Sequence, residues 1–325
     1  MTIQQAKALA LEKLASGSSP LLDAEVFLKW ILKRDKTFLL FHRDELLSPA
    51  QEQQFRSCIA KRAEGLPVAY ITGTKEFFGL EFKVTPDVLI PKPDTEILVE
   101  NALNFIEGKF RANPCKAVSV CDMCSGSGCV GISILNETER RNIIPKELLP
   151  RMTFADISGR TLETARQNAN HLLSSRALSR ISFVQTNLFE SMENTRGGRF
   201  DIIVSNPPYI PYAETKELLK DGRNEPELAL CGDIGADGTV SGCGDGLEII
   251  RRLASQAQQF LRPQGILILE AGEYNAQKAK DTLDALGFTD TKLFLDLEGQ
   301  LRNVSGTACA HKGKRTEKRD SCHTG

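Results

Sequence analysis

No apolar run in this 325-residue chain approaches the roughly 18 residues that a membrane-crossing helix needs. The start, Met1 to Leu14, scatters charges among its apolar positions and lacks the uninterrupted core of a signal peptide. A surplus of either charge is missing too: 41 Lys plus Arg stand against 42 Asp plus Glu, a net charge of −1. Coating nucleic acid by bulk electrostatics needs clustered excess cations, so that class is excluded. Histidine is scarce, at four residues, and Cys121-Asp-Met-Cys124 has no second C-x-x-C to complete a zinc site, so no metal is expected. Nine cysteines at uneven spacing, without a secretion signal, read as reduced thiols in a cytoplasmic setting. What remains is an ordinary globular composition, 41% hydrophobic and 26% charged, with a length that suits about two domains of roughly 150 residues.

Residues 1–66 read as a helical module. Ile3, Ala6, Leu9, Ala10 and Leu14 follow i, i+3, i+4 spacing, and Leu21, Leu22, Val26, Phe27, Trp30 and Ile31 repeat it. Ser19 and Pro20 predict a cap and first turn between them. A third helix is expected from about Pro49 to Glu64, stopped by Gly65. The module carries no glycine loop and no convergent polar cluster, so it is expected to recognise a partner. Residues 67–92 form a linker. Within it Phe77–Val84 alternates toward period 2, and Val88-Leu-Ile-Pro91 follows a Pro86-Asp87 turn, a pattern that predicts a hairpin. Asp94 or Thr95 is expected to cap the next helix, which carries Ile97, Leu98, Ala102, Leu103 and Ile106.

Residues 93–305 read as the second domain. Strands are expected at Ala117–Met123, Met152–Ile157, Ile181–Thr186, Phe200–Ser205 and Gly265–Ala271, with helices near 129–137, 158–174, 244–262 and 272–286. Such alternation predicts an α/β, doubly wound and mostly parallel sheet with helices on both faces. Leu293–Leu297 and Leu301–Val304 suggest a terminal hairpin. Cys231–Gly246 packs six glycines and three aspartates into sixteen residues and reads as a flexible insertion. The tail, 306–325, is polar and expected to be disordered.

Val118 to Gly131 runs from a strand through a glycine turn into a helix. Gly126 and Gly128 permit close backbone approach to a ligand, and the helix N-terminus offers free N–H groups. Gly126, Gly128 and Gly131 satisfy G-x-G-x-x-G, which suits a dinucleotide, but an S-adenosylmethionine site competes for the same pattern. Asp122, just before the turn, fits the second: a carboxylate there engages the ligand's ammonium or orders the loop, and it sits badly beside a pyrophosphate. Asp156, ending the next strand, is placed to accept from both ribose hydroxyls, or else to cap a helix. Asn187 and Leu188, after the third strand, are placed to edge an adenine.

Val204-Ser-Asn-Pro-Pro-Tyr-Ile ends the fourth strand, on the edge where open α/β sheets bind ligands. Pro207 and Pro208 have no N–H and a restricted φ, so their carbonyls project with little freedom. Asn206 adds a side-chain acceptor and Tyr209 an aromatic face. An amide or aryl-amine nitrogen is a poor nucleophile because its lone pair is delocalised. Two acceptors, Asn206 Oδ1 and the Pro207 carbonyl, can hold both of its hydrogens, aim the lone pair and stabilise charge developing on nitrogen. Methyl transfer to a planar NH₂ group is the expected reaction, with Asn206 and Pro207 catalytic.

At these residues the chain resembles the HemK/PrmC-type methyltransferases, which modify the glutamine amide in the Gly-Gly-Gln motif of peptide chain release factors. The likeness covers most of residues 20–305. It includes Asp23-Ala-Glu, Arg62-x-x-Gly65-x-Pro67, Glu76-Phe-Phe-Gly-Leu, Leu89-Ile-Pro-Lys-Pro-Asp-Thr-Glu, Glu225-Pro-Glu-Leu-Ala-Leu and Asp296-x-x-Gly-x-x-Arg302. The resemblance implies a seven-stranded Rossmann-like methyltransferase sheet behind a small helical substrate-recognition domain, and release factors as protein substrates of a monomeric enzyme. It implies S-adenosylmethionine contacts from Cys124, Ser125, Gly126, Ser127, Gly128, Asp156, Leu188 and Asn206, with Asn206, Pro207, Pro208 and Tyr209 holding the glutamine. Lys92 stands where the family usually has Arg, and Cys124 where it usually has Gly. The competing readings are a glutamine methyltransferase for a ribosomal protein, an adenine amino-methyltransferase and a non-catalytic binding protein.

Overall fold

The computed structural model describes residues 1–309 apart from residues 16, 18, 194–198, 221–224, 236 and 297. Five helices open the chain: α1 (Ile3–Lys13), α2 (Pro20–Leu32), α3 (Lys36–Phe41), α4 (Pro49–Ala63) and α5 (Val68–Thr72). Thr2 and Ser48 start α1 and α4 with capping boxes closed by Gln5 and Gln51. Helices α3 and α5 escape the sequence pattern because six and five residues are too short for a periodic signal. The first of these begins where Asp35 accepts the Phe38 N–H at 2.8 Å. Ile3, Phe27, Leu28, Phe55 and Ile59 belong to a core of this module's own, separate from those on the sheet. A 2.7 Å ion pair between Arg62 and Asp23 fastens α4 to α2, which accounts for two of the short motifs above.

The hairpin lies earlier than the alternation predicts. Its strands are β1 (Thr74–Phe77) and β2 (Leu80–Lys83), joined at Phe78 and Gly79, both with positive φ. Two left-handed residues give the turn the twist that antiparallel strands need. Val88–Pro91 is not a strand; its backbone is satisfied by side chains instead. The Tyr70 hydroxyl donates to Val88 O at 2.7 Å, and Ile90 N–H donates to Glu225 at 3.2 Å.

A 3₁₀ turn at Pro93–Thr95 leads into α6 (Glu96–Ala112). Thr95 makes no side-chain cap to that helix, contrary to the expectation for it. The sheet then builds from β3 (Ser119–Met123), α7 (Cys129–Arg140), β4 (Arg151–Asp156), α8 (Gly159–Leu172), α9 (Ser175–Leu178), β5 (Ile181–Gln185) and β6 (Phe200–Ser205). After it come α10 (Tyr212–Lys220), α11 (Glu227–Leu230), α12 (Glu248–Phe260), β7 (Leu261–Glu270), α13 (Ala276–Ala285), β8 (Thr289–Leu295) and β9 (Leu301–Thr307). The strand order is β5-β4-β3-β6-β7-β9-β8, seven strands in which only β9 runs against its neighbours. This is the doubly wound, mostly parallel sheet that the alternation of elements predicts.

Strand residues alternate between two cores, as burial on both faces requires. Val120, Phe154, Ile202 and Val204 pack with α6, α7 and α8, while Cys121, Met123, Ala155 and Ile203 pack with α12 and α13. The last strand runs to Thr307, two residues past the expected boundary at 305, and Ala308 N–H still donates to Gly265 O at 2.8 Å. The rest of the predicted tail, residues 310–325, lies outside the described residues, as does Leu297 of the predicted hairpin. Strand β8 starts at Thr289, four residues early, because its polar opening Thr-Asp-Thr-Lys gives no apolar alternation. Among the described residues no helix is long and apolar enough to cross a membrane.

Candidate active site

Strand order reverses between β3 and β6: the chain moves outward from β3 through β4 to β5, then returns to lay β6 on the other side of β3. Loops leaving the C-terminal ends of β3 and β6 therefore diverge and leave a crevice. The glycine turn follows β3, and Asn206 follows β6. Between them lies a cavity of about 730 Å³. Of the residues expected at the site, it is lined by Cys124, Ser125, Gly126, Ser127, Asp156, Asn187, Leu188, Asn206 and Pro208. Gly128, Pro207 and Tyr209 are not in that lining.

The glycine turn is shaped by backbone demands. Cys124, Gly126 and Gly128 all have positive φ (58°, 56° and 79°). Glycine reaches that region freely, whereas Cys124 carries a Cβ there at a cost of roughly 1–2 kcal/mol. A Cβ on Gly131 would lie 2.5 Å from the Phe154 ring and 2.9 Å from Asp122 Oδ2, so helix and strand close up only over glycine.

Two carboxylates fasten this turn. Asp122 Oδ2 accepts the Gly131 N–H at 2.9 Å, and Asp156 Oδ2 accepts the Gly126 N–H at 3.0 Å. Asp156 Oδ1 accepts from Ser158 N–H at 3.0 Å. Asp156 is not the helix cap; Ser158 caps α8 by accepting from Thr161 N–H at 3.3 Å. Burial pushes the Asp122 carboxyl up to about 8 against the pull of the Gly131 N–H, and the Asp156 charge adds to the rise. Burial also raises Asp156. Burial makes both carboxyls reluctant to ionise, and they gain charge most readily beside a cation, so the cleft favours a cationic ligand over a pyrophosphate. Ser125 Oγ and Ser127 Oγ are buried on the same turn without hydrogen-bond partners among the described residues, as polar groups awaiting a ligand are.

Asn187 and Leu188 sit at the far end of the cavity. Leu188 is buried, with a positive φ of 51°. The Asn187 amide is already engaged: its NH₂ donates to Glu190 at 2.9 Å, and its oxygen accepts from Arg252 at 3.2 Å. Contact with an exocyclic amine therefore has to compete with those bonds.

At the other end, Asn206 Nδ2 donates to Thr95 Oγ1 at 3.0 Å. That bond anchors the amide through its NH₂ and leaves Oδ1 as the acceptor. Ser205, one residue earlier, donates to Met123 O at 2.6 Å and ties the two strand ends together. The Tyr209 hydroxyl turns away from the cavity and donates to Glu270 Oε1 at 3.1 Å, while Asn275 donates to Tyr209 O at 3.0 Å. Thr95, Glu270 and Asn275 are the residues that the sequence reading misses here.

The glycine-rich insertion is anchored at both ends. Asp233 is fully buried and accepts from Gly246 N–H at 2.7 Å and Tyr212 N–H at 2.9 Å. A Cβ on Gly232 would collide with the Gly246 carbonyl, and one on Gly246 with the Tyr209 carbonyl. Glycine serves close packing at those two positions, whereas an added Cβ at Gly238, Gly242 or Gly244 would meet open space, and Ile234 and Gly235 form part of the cavity wall. Residue 236 lies outside the described residues. At the cavity mouth Lys92 Nζ donates to both Glu225 oxygens, at 2.9 and 3.1 Å, bringing two distant motifs together. Among the described residues no group of three or more His, Cys, Asp or Glu is arranged to hold a metal ion.

Fold and cleft together define a Rossmann-like methyltransferase domain preceded by a helical domain. Residues 5–73 match the PrmC N-terminal domain family, and residues 99–222 match the methyltransferase small domain family. The chain is 36% identical over 305 residues to the release factor glutamine methyltransferase of Moorella thermoacetica, covering 93% of this chain and 97% of that protein. It is 37% identical over 306 residues to the one of Burkholderia pseudomallei, covering 94% and 98%. A solved release-factor-specific protein-(glutamine-N5) methyltransferase from Alicyclobacillus acidocaldarius is 25% identical and covers 70% of this chain and 99% of that one. Its TM-score of 0.36 is too low to add to the fold described above. This chain belongs to the release factor glutamine methyltransferase family.

Proposed function

We propose that the protein transfers a methyl group from S-adenosylmethionine to the side-chain amide nitrogen of the glutamine in the Gly-Gly-Gln motif of peptide chain release factors. The observation that carries the reading is the anchored Asn206 amide, whose NH₂ is spent on Thr95 and whose Oδ1 is left to accept. S-adenosylmethionine supplies an electrophilic methyl on a sulfonium centre. Asp122 offers a buried carboxylate to the cationic end of that ligand, Asp156 the acceptor for its ribose hydroxyls, and Leu188 an apolar wall for its base. The unpartnered Ser125 and Ser127 hydroxyls fit the same polar ligand.

The glutamine side chain enters beside Asn206 and Pro208. Asn206 Oδ1 accepts one of its N–H hydrogens and the Pro207 carbonyl the other. Holding both fixes the amide plane, turns the nitrogen lone pair toward the methyl group and stabilises the positive charge that builds on nitrogen. No strong base is needed, because the methylated nitrogen becomes acidic and releases its proton to water. The helical module, with its separate core, docks the body of the release factor. A tritiated-methyl assay on purified release factors tests this. Label is expected in the intact protein and absent when the Gly-Gly-Gln glutamine is replaced; labelling of both forms would refute the assignment.

A further inference from the structure

The first turn of α12 carries two neighbouring arginines that the structure puts to different uses. Arg251 turns to Asp245, whose Oδ1 accepts from it at 3.0 Å, and it takes no part in the cavity lining. Arg252 does line the cavity, with a side chain only 14% exposed. Its Nη2 donates to Asn187 Oδ1 at 3.2 Å, and its Nη1 donates to the Ile234 carbonyl at 3.4 Å. Asn187 follows β5, while Ile234 belongs to the glycine-rich insertion, where it forms an antiparallel bridge with Val240. Both residues are part of the cavity wall. One planar guanidinium therefore spans two segments of that wall, and each bond holds it in place for the other.

A guanidinium only donates, and it keeps its charge across the pH range of folded proteins. The oxygen of the Asn187 amide must therefore face Arg252, and its NH₂ goes to Glu190 Oε1 at 2.9 Å. The Glu190 side chain is 53% exposed, so water competes for that second bond and Arg252 carries most of the orientation. An amide oxygen has two lone pairs, and Arg252 occupies one. The other can accept a hydrogen from an amino group held in the cavity. With the amide turned over, its NH₂ would meet that amino group donor to donor. The fixed orientation thus suits a planar base that carries an exocyclic amine, as adenine does.

We propose that Arg252 is a positioning residue for the cofactor: by fixing the Asn187 amide it makes the site select a base with an exocyclic amine. The proposal rests on the S-adenosylmethionine reading above and deepens it. Arg252 itself need not touch the base.

Affinity is measured by calorimetry for S-adenosylhomocysteine and for its purine analogue, which lacks only the 6-amino group. The ratio of the two affinities is the readout. Wild type is expected to prefer the amino ligand by about tenfold, the worth of one positioned hydrogen bond. Arg252→Met should cut that preference to about twofold, weakening the amino ligand and leaving the purine analogue nearly unchanged. Arg252→Lys keeps a cationic donor and should recover most of the preference. Asn187→Ala should lose the preference as well, and adding Arg252→Met to it should change the ratio no further. Arg251→Met, which removes the same charge from the same helix, should keep the wild-type ratio.

A merely structural role for Arg252 predicts equal weakening of both ligands and an unchanged ratio. That result overturns the proposal, as does a wild type without preference. So does a ratio that Arg252→Met still shifts in the Asn187→Ala background. Should Arg252→Met not fold, Asn187→Ala carries the test alone, and a wild-type ratio in that variant overturns the proposal. A wild type that binds neither ligand overturns the S-adenosylmethionine reading itself.

Discussion

Asp122 and Asp156 are acids whose pKa values rise on folding, and the sign of that rise makes a measurable claim. Asp122 titrates near 3.8 when exposed and near 8 when folded, so between those values the folded state holds a proton that the unfolded state has released. The contribution of Asp122 to the stability of the ligand-free protein therefore falls as pH rises through that window and levels off above it. Glu270, raised to about 7 chiefly by burial, acts in the same direction from 4.5 upward. Asp122→Asn keeps an acceptor for Gly131 N–H and removes the titration, so thermal unfolding from pH 5 to 8 should show a shallower slope for the variant. An unchanged slope would mean that Asp122 is not the group responsible. On the proposed function Asp156 serves affinity, so Asp156→Ala should weaken S-adenosylmethionine by about 1.5–3 kcal/mol in calorimetry, the worth of hydrogen bonds to a charged acceptor. Part of that loss comes from freeing the Gly126 N–H, which Asp156 holds in the absence of ligand. Cys124→Gly should act the other way, tightening S-adenosylmethionine by a few-fold as left-handed strain is relieved and the backbone gains room.

At the level of elements, the proposed function gives the helical module the job of recognition. Leu40, Phe41 and Leu46, in and just after α3, leave 66%, 76% and 72% of their surfaces exposed. A combined change of Leu40, Phe41 and Leu46 to Ser should raise KM for intact release factor by about tenfold, as loss of an apolar contact patch does. Cofactor affinity should be unaltered, and an unchanged KM would place docking elsewhere. Sequence patterns reveal elements when their signals are local. The β3 turn, the Asn206-Pro-Pro-Tyr209 corner and helix α4 are legible because apolar spacing, glycine and caps lie within a few residues of one another. The hairpin at 74–83 is misplaced by a few residues because Val88–Ile90 looks apolar enough to be a strand. Its backbone partners, Tyr70 and Glu225, are visible only in three dimensions. The glycines at 232 and 246 read as slack because nothing local shows that two backbones cross there.

Across the whole molecule, the site is assembled by strand order. Thr95 reaches Asn206 across 111 residues of sequence, and Glu270 reaches Tyr209 across 61. No spacing rule links residues so far apart, which is why the sequence singles out Asn206 as a candidate while its supports go unseen. The same order brings Lys92 to Glu225 and Arg302 to Asp94, tying the linker and the terminal strand to segments far from them in sequence. The central claim is that a positioned Asn206 acceptor limits methyl transfer to a glutamine amide. Its most direct test is single-turnover transfer to release factor at saturating S-adenosylmethionine, comparing wild type with Asn206→Ala and Asn206→Asp. The alanine variant should lose on the order of 10²–10³ in rate with near-normal cofactor affinity, as removal of a preorganised polar group does elsewhere. The aspartate variant keeps an acceptor but loses the NH₂ that binds Thr95, and should be impaired yet measurable. An alanine variant that retains more than about a tenth of the wild-type rate would contradict the account.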